Sequence, residues 1–110
     1  MNKILDIIVP DMHDSFSRVV LDNVQYWIRF TFNDTAQRWH FGLYTMQREP
    51  LVDGIRLVPR FPLNLQIVDD RFPTGVFGVY SDFDYIGRND FVEGRATFTY
   101  TSLDVEATGV

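Results

Sequence analysis

The stretch from Gln25 to Pro59, QYWIRFTFNDTAQRWHFGLYTMQREPLVDGIRLVP, constrains the fold more than any other part of the chain. Its apolar residues recur at every second position. Tyr26, Ile28, Phe30 and Phe32 share one face of an extended segment, and Gln25, Trp27, Arg29 and Thr31 share the other. That is the period of a strand, not of a helix. Asn33-Asp34-Thr35-Ala36 then has the side-chain chemistry of a turn. A second run alternates Trp39, Phe41 and Leu43 with His40, Gly42 and Tyr44. After a polar Gln-Arg-Glu-Pro, a third run places Leu51, Asp53, Ile55 and Leu57 in one register. Three consecutive strands with short connections make a meander, and the rest of the chain must extend or cover it.

On the N-terminal side, Lys3 to Val9 reads as a strand stopped by Pro10, which cannot donate to a ladder. Asp11 to Asp14 is a loop. Phe16, Arg18 and Val20 alternate with Ser17, Val19 and Leu21, and Asp22-Asn23 supplies a two-residue hairpin turn whose residues tolerate positive φ. Beyond the meander, the prolines around Arg60-Phe61 predict irregular chain, and Leu63 to Ile67 fits either a short strand or one helical turn. Asp69 to Gly75 is a loop. Val76 to Ser81 reads as a strand, with Gly78 inside it suggesting a bulge or a close backbone approach. Asp82 to Glu93 is a polar loop carrying Phe83, Tyr85, Ile86 and Phe91, and Glu93-Gly94 turns into a last strand in which Ala96, Phe98 and Tyr100 alternate with threonines.

The expected fold class is therefore all-β, a single-domain antiparallel β-sandwich or partly closed barrel of about seven short strands. The domain spans residues 1–102, and residues 103–110 form a loose C-terminal tail. Both faces of several strands are apolar or aromatic, with Trp27 opposite Ile28. Either two sheets pack together, or one sheet packs against a partner subunit.

Composition narrows the function classes. A chain of 110 residues with 45% hydrophobic and 15% aromatic residues is a folded domain, not a disordered segment. With no cysteine, a disulfide framework, a thiolate metal site and a cysteine nucleophile are all excluded. A formal charge of -5 disfavours a nucleic-acid binder that works by displacing counterions. No apolar run reaches the roughly 20 residues that span a bilayer, and the N-terminus lacks a signal-peptide pattern, so folding in the cytoplasm is expected. Nine of the ten basic residues are arginine, Lys3 being the exception. Arginine is enriched at protein interfaces and lysine depleted, which points to a subunit of an assembly; host codon composition is the other account.

Catalytic and metal-binding constellations are weak. Asp82 with Asp84, or Asp69 with Asp70, are the candidate carboxylate pairs, and all four read more simply as loop residues. Ser15 or Ser17 with His13 or His40 lacks a turn that would present a nucleophile. Asp11-Met12-His13-Asp14 is the one cluster of metal-donating residues, and Gly75-Val76-Phe77-Gly78 has neither the helix nor the lysine of a phosphate cradle. No enzyme activity, cofactor or metal is expected. Binding by shape remains, and the candidate partner residues are Arg60, Phe61, Arg71 and Phe72, two Arg-Phe pairs each followed by proline. Their rings either project or turn inward to plug the ends of the sandwich. Arg29, Arg38 and Arg56 are placed to pair with cross-strand carboxylates such as Asp53.

Trp39 to Tyr44 (WHFGLY), Pro50 to Val58 (PLVDGIRLV) and Gly87 to Tyr100 (GRNDFVEGRATFTY) together resemble the baseplate plug family of contractile-tailed bacteriophages, first described structurally in a cyanophage. The similarity runs from Ile4 to Tyr100 and carries no catalytic signature. It implies a small β-rich virion subunit at the central hub of the tail baseplate, in contact with hub, spike and tail tube or tape-measure proteins, and repeated cyclically about the axis. From charge and hydropathy, neither nucleic-acid nor membrane partners are expected. A receptor- or carbohydrate-binding β-sandwich module of a tail fibre is the alternative. An exposed aromatic platform with polar neighbours would favour that module, and a flat, Arg-rich apolar patch complementary to a large partner would favour the plug.

Overall fold

Asp22 and Asn23 sit at φ 53° and 68°, left-handed at both central positions of a two-residue turn. This connection fixes the register of the first hairpin, in which Leu21 pairs with Val24 and Asp14 with Thr31. A computed structural model describes residues 3–63 and 71–102. The expected tail from 103 to 110, Asp69-Asp70, and all but Leu63 of the segment read as strand or helical turn lie outside the described residues.

Seven strands follow in chain order: β1 Lys3–Ile7, β2 Asp14–Leu21, β3 Val24–Asn33, β4 Arg38–Tyr44, β5 Pro50–Arg56, β6 Val76–Ser81 and β7 Ala96–Ser102. All pairings are antiparallel, in a four-stranded sheet ordered β2-β3-β4-β5 and a three-stranded sheet ordered β1-β7-β6. The meander is thus one sheet extended by β2. Among the described residues no strand ladder joins the two sheets, so the architecture is a sandwich and not a partly closed barrel.

The inner rows follow the alternation. Tyr26, Ile28, Phe30 and Phe32 of β3 and Trp39, Phe41 and Leu43 of β4 are buried against Phe77 and Val79 of β6 and Phe98 and Tyr100 of β7. Phe98 lies 5.0 Å from Phe30 and 5.2 Å from Phe41 between ring centroids, both near edge-to-face. Such pairs add roughly 0.5–1.5 kcal/mol each beyond the area they bury.

Three local expectations need correction. Of Leu51, Asp53, Ile55 and Leu57, only Asp53 leaves the core side: Phe41 pairs with Ile55 while Leu43 pairs with Val52, leaving Asp53-Gly54 as a bulge, and a second shift between Leu43 and Tyr44 follows at Leu51. Gly54, at φ 72°, takes the left-handed position that such a bulge requires. Gly78 is neither bulged nor crowded: the β6–β7 register is continuous, and an added Cβ would come no nearer than 3.9 Å to Thr99. The close approach is at Gly75 instead, where an added Cβ would lie 2.4 Å from both Tyr100 and the Thr101 carbonyl. At the N-terminus β1 stops at Ile7, and Ile8 points to solvent while Val9 is buried.

Polar latches close both ends. At one, the Tyr100 hydroxyl donates to Asp22 at 2.5 Å and accepts from the Gly75 amide at 2.8 Å, joining β7 to the β2–β3 turn and to the chain entering β6. Ser102 also donates to Asp22. At the other, the Trp39 indole donates to the Gly87 carbonyl at 3.0 Å, and Phe91 packs edge-on against the same indole. Asp90, itself buried, organises that loop by accepting from the Gly87 amide and from Arg95.

Tyr100→Phe removes the acceptor of a buried amide and is expected to cost about 1–3 kcal/mol of unfolding free energy, measured by urea denaturation. Burial and then Asp22 raise the Tyr100 phenol above its ordinary pKa. The wild type therefore keeps this stabilisation below about pH 10, where a free tyrosine ionises, and loses it as pH rises further; Tyr100→Phe lacks that alkaline loss.

Candidate partner-binding surface

The two Arg-Phe-Pro tripeptides, 60–62 and 71–73, meet opposite fates. After β5 the chain passes over to the outer edge of β6, where the Arg60 amide bonds the Val79 carbonyl and the Leu63 amide bonds the Phe77 carbonyl. Arg60 takes φ 70°, and Phe61 between these two anchors is 68% exposed. Phe72 is only 7% exposed, with its ring 5.6 Å from Phe77. Of the two expected rings, one projects and one plugs the core. The guanidiniums stay at the surface: Arg60 pairs with Asp84 at 2.6 Å and Arg71 with Glu49 at 3.6 Å.

A second surface was not singled out from the sequence. It is the outer face of β2, β3 and β4. Phe16 on β2, Trp27 on β3 and Tyr44 on β4 form a ring cluster, with Phe16 6.5 Å from Trp27 and 5.2 Å from Tyr44. Arginines lie over these rings. Arg48 is 4.3 Å from the centroid of Trp27 and 4.8 Å from that of Phe16, Arg18 is 5.4 Å from Trp27, and Arg29 is 5.5 Å from Phe16. Each exposed cation–ring contact of this kind contributes about 0.5–1 kcal/mol. Arg48 reaches the cluster from the β4–β5 turn at φ 67°, held by a hydrogen bond from its backbone N–H to the Thr45 carbonyl. The available signal was the alternation itself, which sends Phe16, Arg18, Trp27 and Arg29 outward; the contribution of Arg48 depends on turn geometry.

Arg29 finds its carboxylate on β2 and not at Asp53. It donates to Asp14 through Nε at 2.9 Å and through a terminal nitrogen at 2.7 Å. These hydrogen bonds lower the Asp14 pKa and raise that of Arg29. Asp53 instead faces Tyr44, whose phenol is raised chiefly by burial, with Asp53 also raising it. Arg38 lies over Tyr85.

The remaining sequence candidates are dispersed. Asp84 is taken by Arg60, and Asp11 by Arg88 at 2.9 Å. His13 meets Asp34 at 2.9 Å. No hydrogen bond joins Ser15 or Ser17 to His13 or His40 among the described residues, and the buried Ser15 hydroxyl has no partner there. Among the described residues no three metal-donating side chains come together, and no helix is long and apolar enough to cross a membrane.

Asp14→Asn tests the bidentate pair. Because its folded pKa is depressed, Asp14 contributes stability above the ordinary aspartate value near 3.9 and loses it as pH falls through the lower folded value. The wild type is expected to exceed D14N by about 0.2–1 kcal/mol at pH 6, the range for exposed ion pairs. The gap in thermal melts closes as pH drops below about 4.

The family model described as cyanophage baseplate Pam3 plug gp18 matches residues 1–104. No curated protein matches the chain. The match takes in all seven strands and both latched ends of the sandwich, and on it this chain belongs to the cyanophage baseplate plug family.

Proposed function

We propose that the protein is a structural subunit of the tail baseplate that acts as a plug at the central hub of a contractile tail, through protein-protein contacts and without catalysis. The family match over residues 1–104 carries this reading. The mechanism is steric: a small sandwich fills an axial space, and movement of hub or spike on contraction releases it. Its partners are hub, spike and tail tube or tape-measure proteins, with cyclic copies of the chain about the axis. It is made in the host cytoplasm and ends in the virion. Arg60 and Phe61 project from the loop beside β6 as one contact point, and Arg71 lies at the rim.

The alternative is a receptor- or carbohydrate-binding module of a tail fibre, which in its carbohydrate-binding form needs an aromatic face open to stack on a sugar. Arg48 and Arg18 lie over the Trp27 ring, and Arg48 and Arg29 over Phe16. Rings covered by guanidiniums favour contact with a protein surface over a sugar ring.

Cross-linking and mass spectrometry of purified tail particles test the assignment. Lys3 is the sole lysine, so a carboxylate-reactive dihydrazide is the reagent of choice. Links to hub, spike, tube or tape-measure chains are the expected result. Links confined to fibre proteins, or absence of the chain from the particle, would reject it.

A further inference from the structure

Seven of the described arginines fall into two sets, with Arg38, half-buried over Tyr85, and Arg56 outside both. Arg29, Arg60, Arg71, Arg88 and Arg95 each pair with a carboxylate. Arg18 and Arg48, both exposed, have no carboxylate partner among the described residues, and their guanidiniums lie over Trp27 and Phe16. A guanidinium resting on a ring keeps N–H groups for an acceptor, and the ring limits the freedom it loses on binding. Trp, Tyr and Arg gathered on one face are also the composition of a binding hot spot.

Charge complementarity names the occupant. An acidic protein surface supplies the carboxylates that Arg18 and Arg48 lack. Among the described residues, a second copy of this chain is a poor source, because most of its exposed acids are engaged, as Asp11 is with Arg88, Asp34 with His13, Asp84 with Arg60 and Glu93 with Arg95, leaving Asp6 and Asp82 on other elements. A nucleic acid is disfavoured by the net charge of -5 and by Asp14 beside Arg29 on this face. We propose that the outer face of β2–β4, around Phe16, Arg18, Trp27 and Arg48, docks an acidic segment of a different baseplate protein. This rests on the baseplate reading above.

The test supplies tagged chain in trans to a phage lacking its own copy and measures its amount in purified particles by quantitative mass spectrometry. R18E/R48E is expected to lower incorporation by about tenfold or more, as reversal of paired interface charges does, while Ile8→Ser, at an exposed residue just after β1, stays within about twofold of wild type. Benzoylphenylalanine in place of the outward Val20 is expected to photo-cross-link to an Asp/Glu-rich stretch of another tail protein; if R18E/R48E melts early, this adduct decides alone. Wild-type incorporation of a folded R18E/R48E overturns the docking face while leaving the baseplate reading intact. An adduct to a second copy overturns the choice of partner, as does binding of single-stranded DNA at physiological salt that R18E/R48E abolishes. Absence of the wild-type chain from particles overturns the baseplate reading, and the docking face with it.

Discussion

The two sheets are held together through side chains, and one ring carries much of that contact. Phe98 on β7 reaches Phe30 and Phe41 on the opposite sheet and lies 5.8 Å from Phe77 beside it. With no strand ladder between the sheets among the described residues, their spacing depends on how these rings interlock. The latches depend on that layer in turn. Tyr100 touches Phe77 at 4.9 Å and, from that position, brings its hydroxyl to Asp22 and Gly75; Trp39 packs on Phe32 at 5.2 Å and presents its N–H to Gly87. Apolar packing sets the geometry, and the polar bonds then hold the ends in register.

Where local chemistry decides the outcome, the sequence was legible. Alternation places the β3 and β4 inner rows, Asp22-Asn23 gives the turn, and Val76 to Ser81 matches β6 at both ends. Where a distant residue decides, it was not. The two Arg-Phe-Pro tripeptides are identical, yet Phe72 enters a space beside Phe77 while Phe61 is carried along the outer edge of β6. The tripeptide itself does not distinguish them; the bonds to the edge of β6 and the space beside Phe77 do. The glycines repeat the lesson: Gly78 stands in a strand and touches little, whereas Gly75, in a loop, is confined by Tyr100 25 residues away. The Asp53-Gly54 bulge could be suspected from the dipeptide but not placed without the pairing to β4.

The outer-face cluster falls between these cases. Alternation alone sends Trp27 and Arg29 to the face opposite Ile28 and Phe30, and the doubly apolar character of the strands already left room for a partner subunit. What alternation cannot supply is Arg48, which is remote from β2 in sequence and arrives over both rings because its turn adopts a left-handed residue.

Arginine usage gives the scarcity of lysine a structural content that codon composition does not. Among the described residues, guanidiniums are used as a planar fork on Asp14, as a bridge between Asp90 and Glu93, and as plates over Trp27, Phe16, Tyr85 and Trp39. A lysine ammonium is a compact, strongly hydrated charge and reproduces neither geometry. The interior is meanwhile filled from both sheets, so the outer rings are not needed to complete the core. Surface rings and cations that the fold does not need for its own burial have a physical use in contact with another molecule. The docking proposed above draws on that division, in which the body folds by its own rings and the stacked, charge-bearing face is left over.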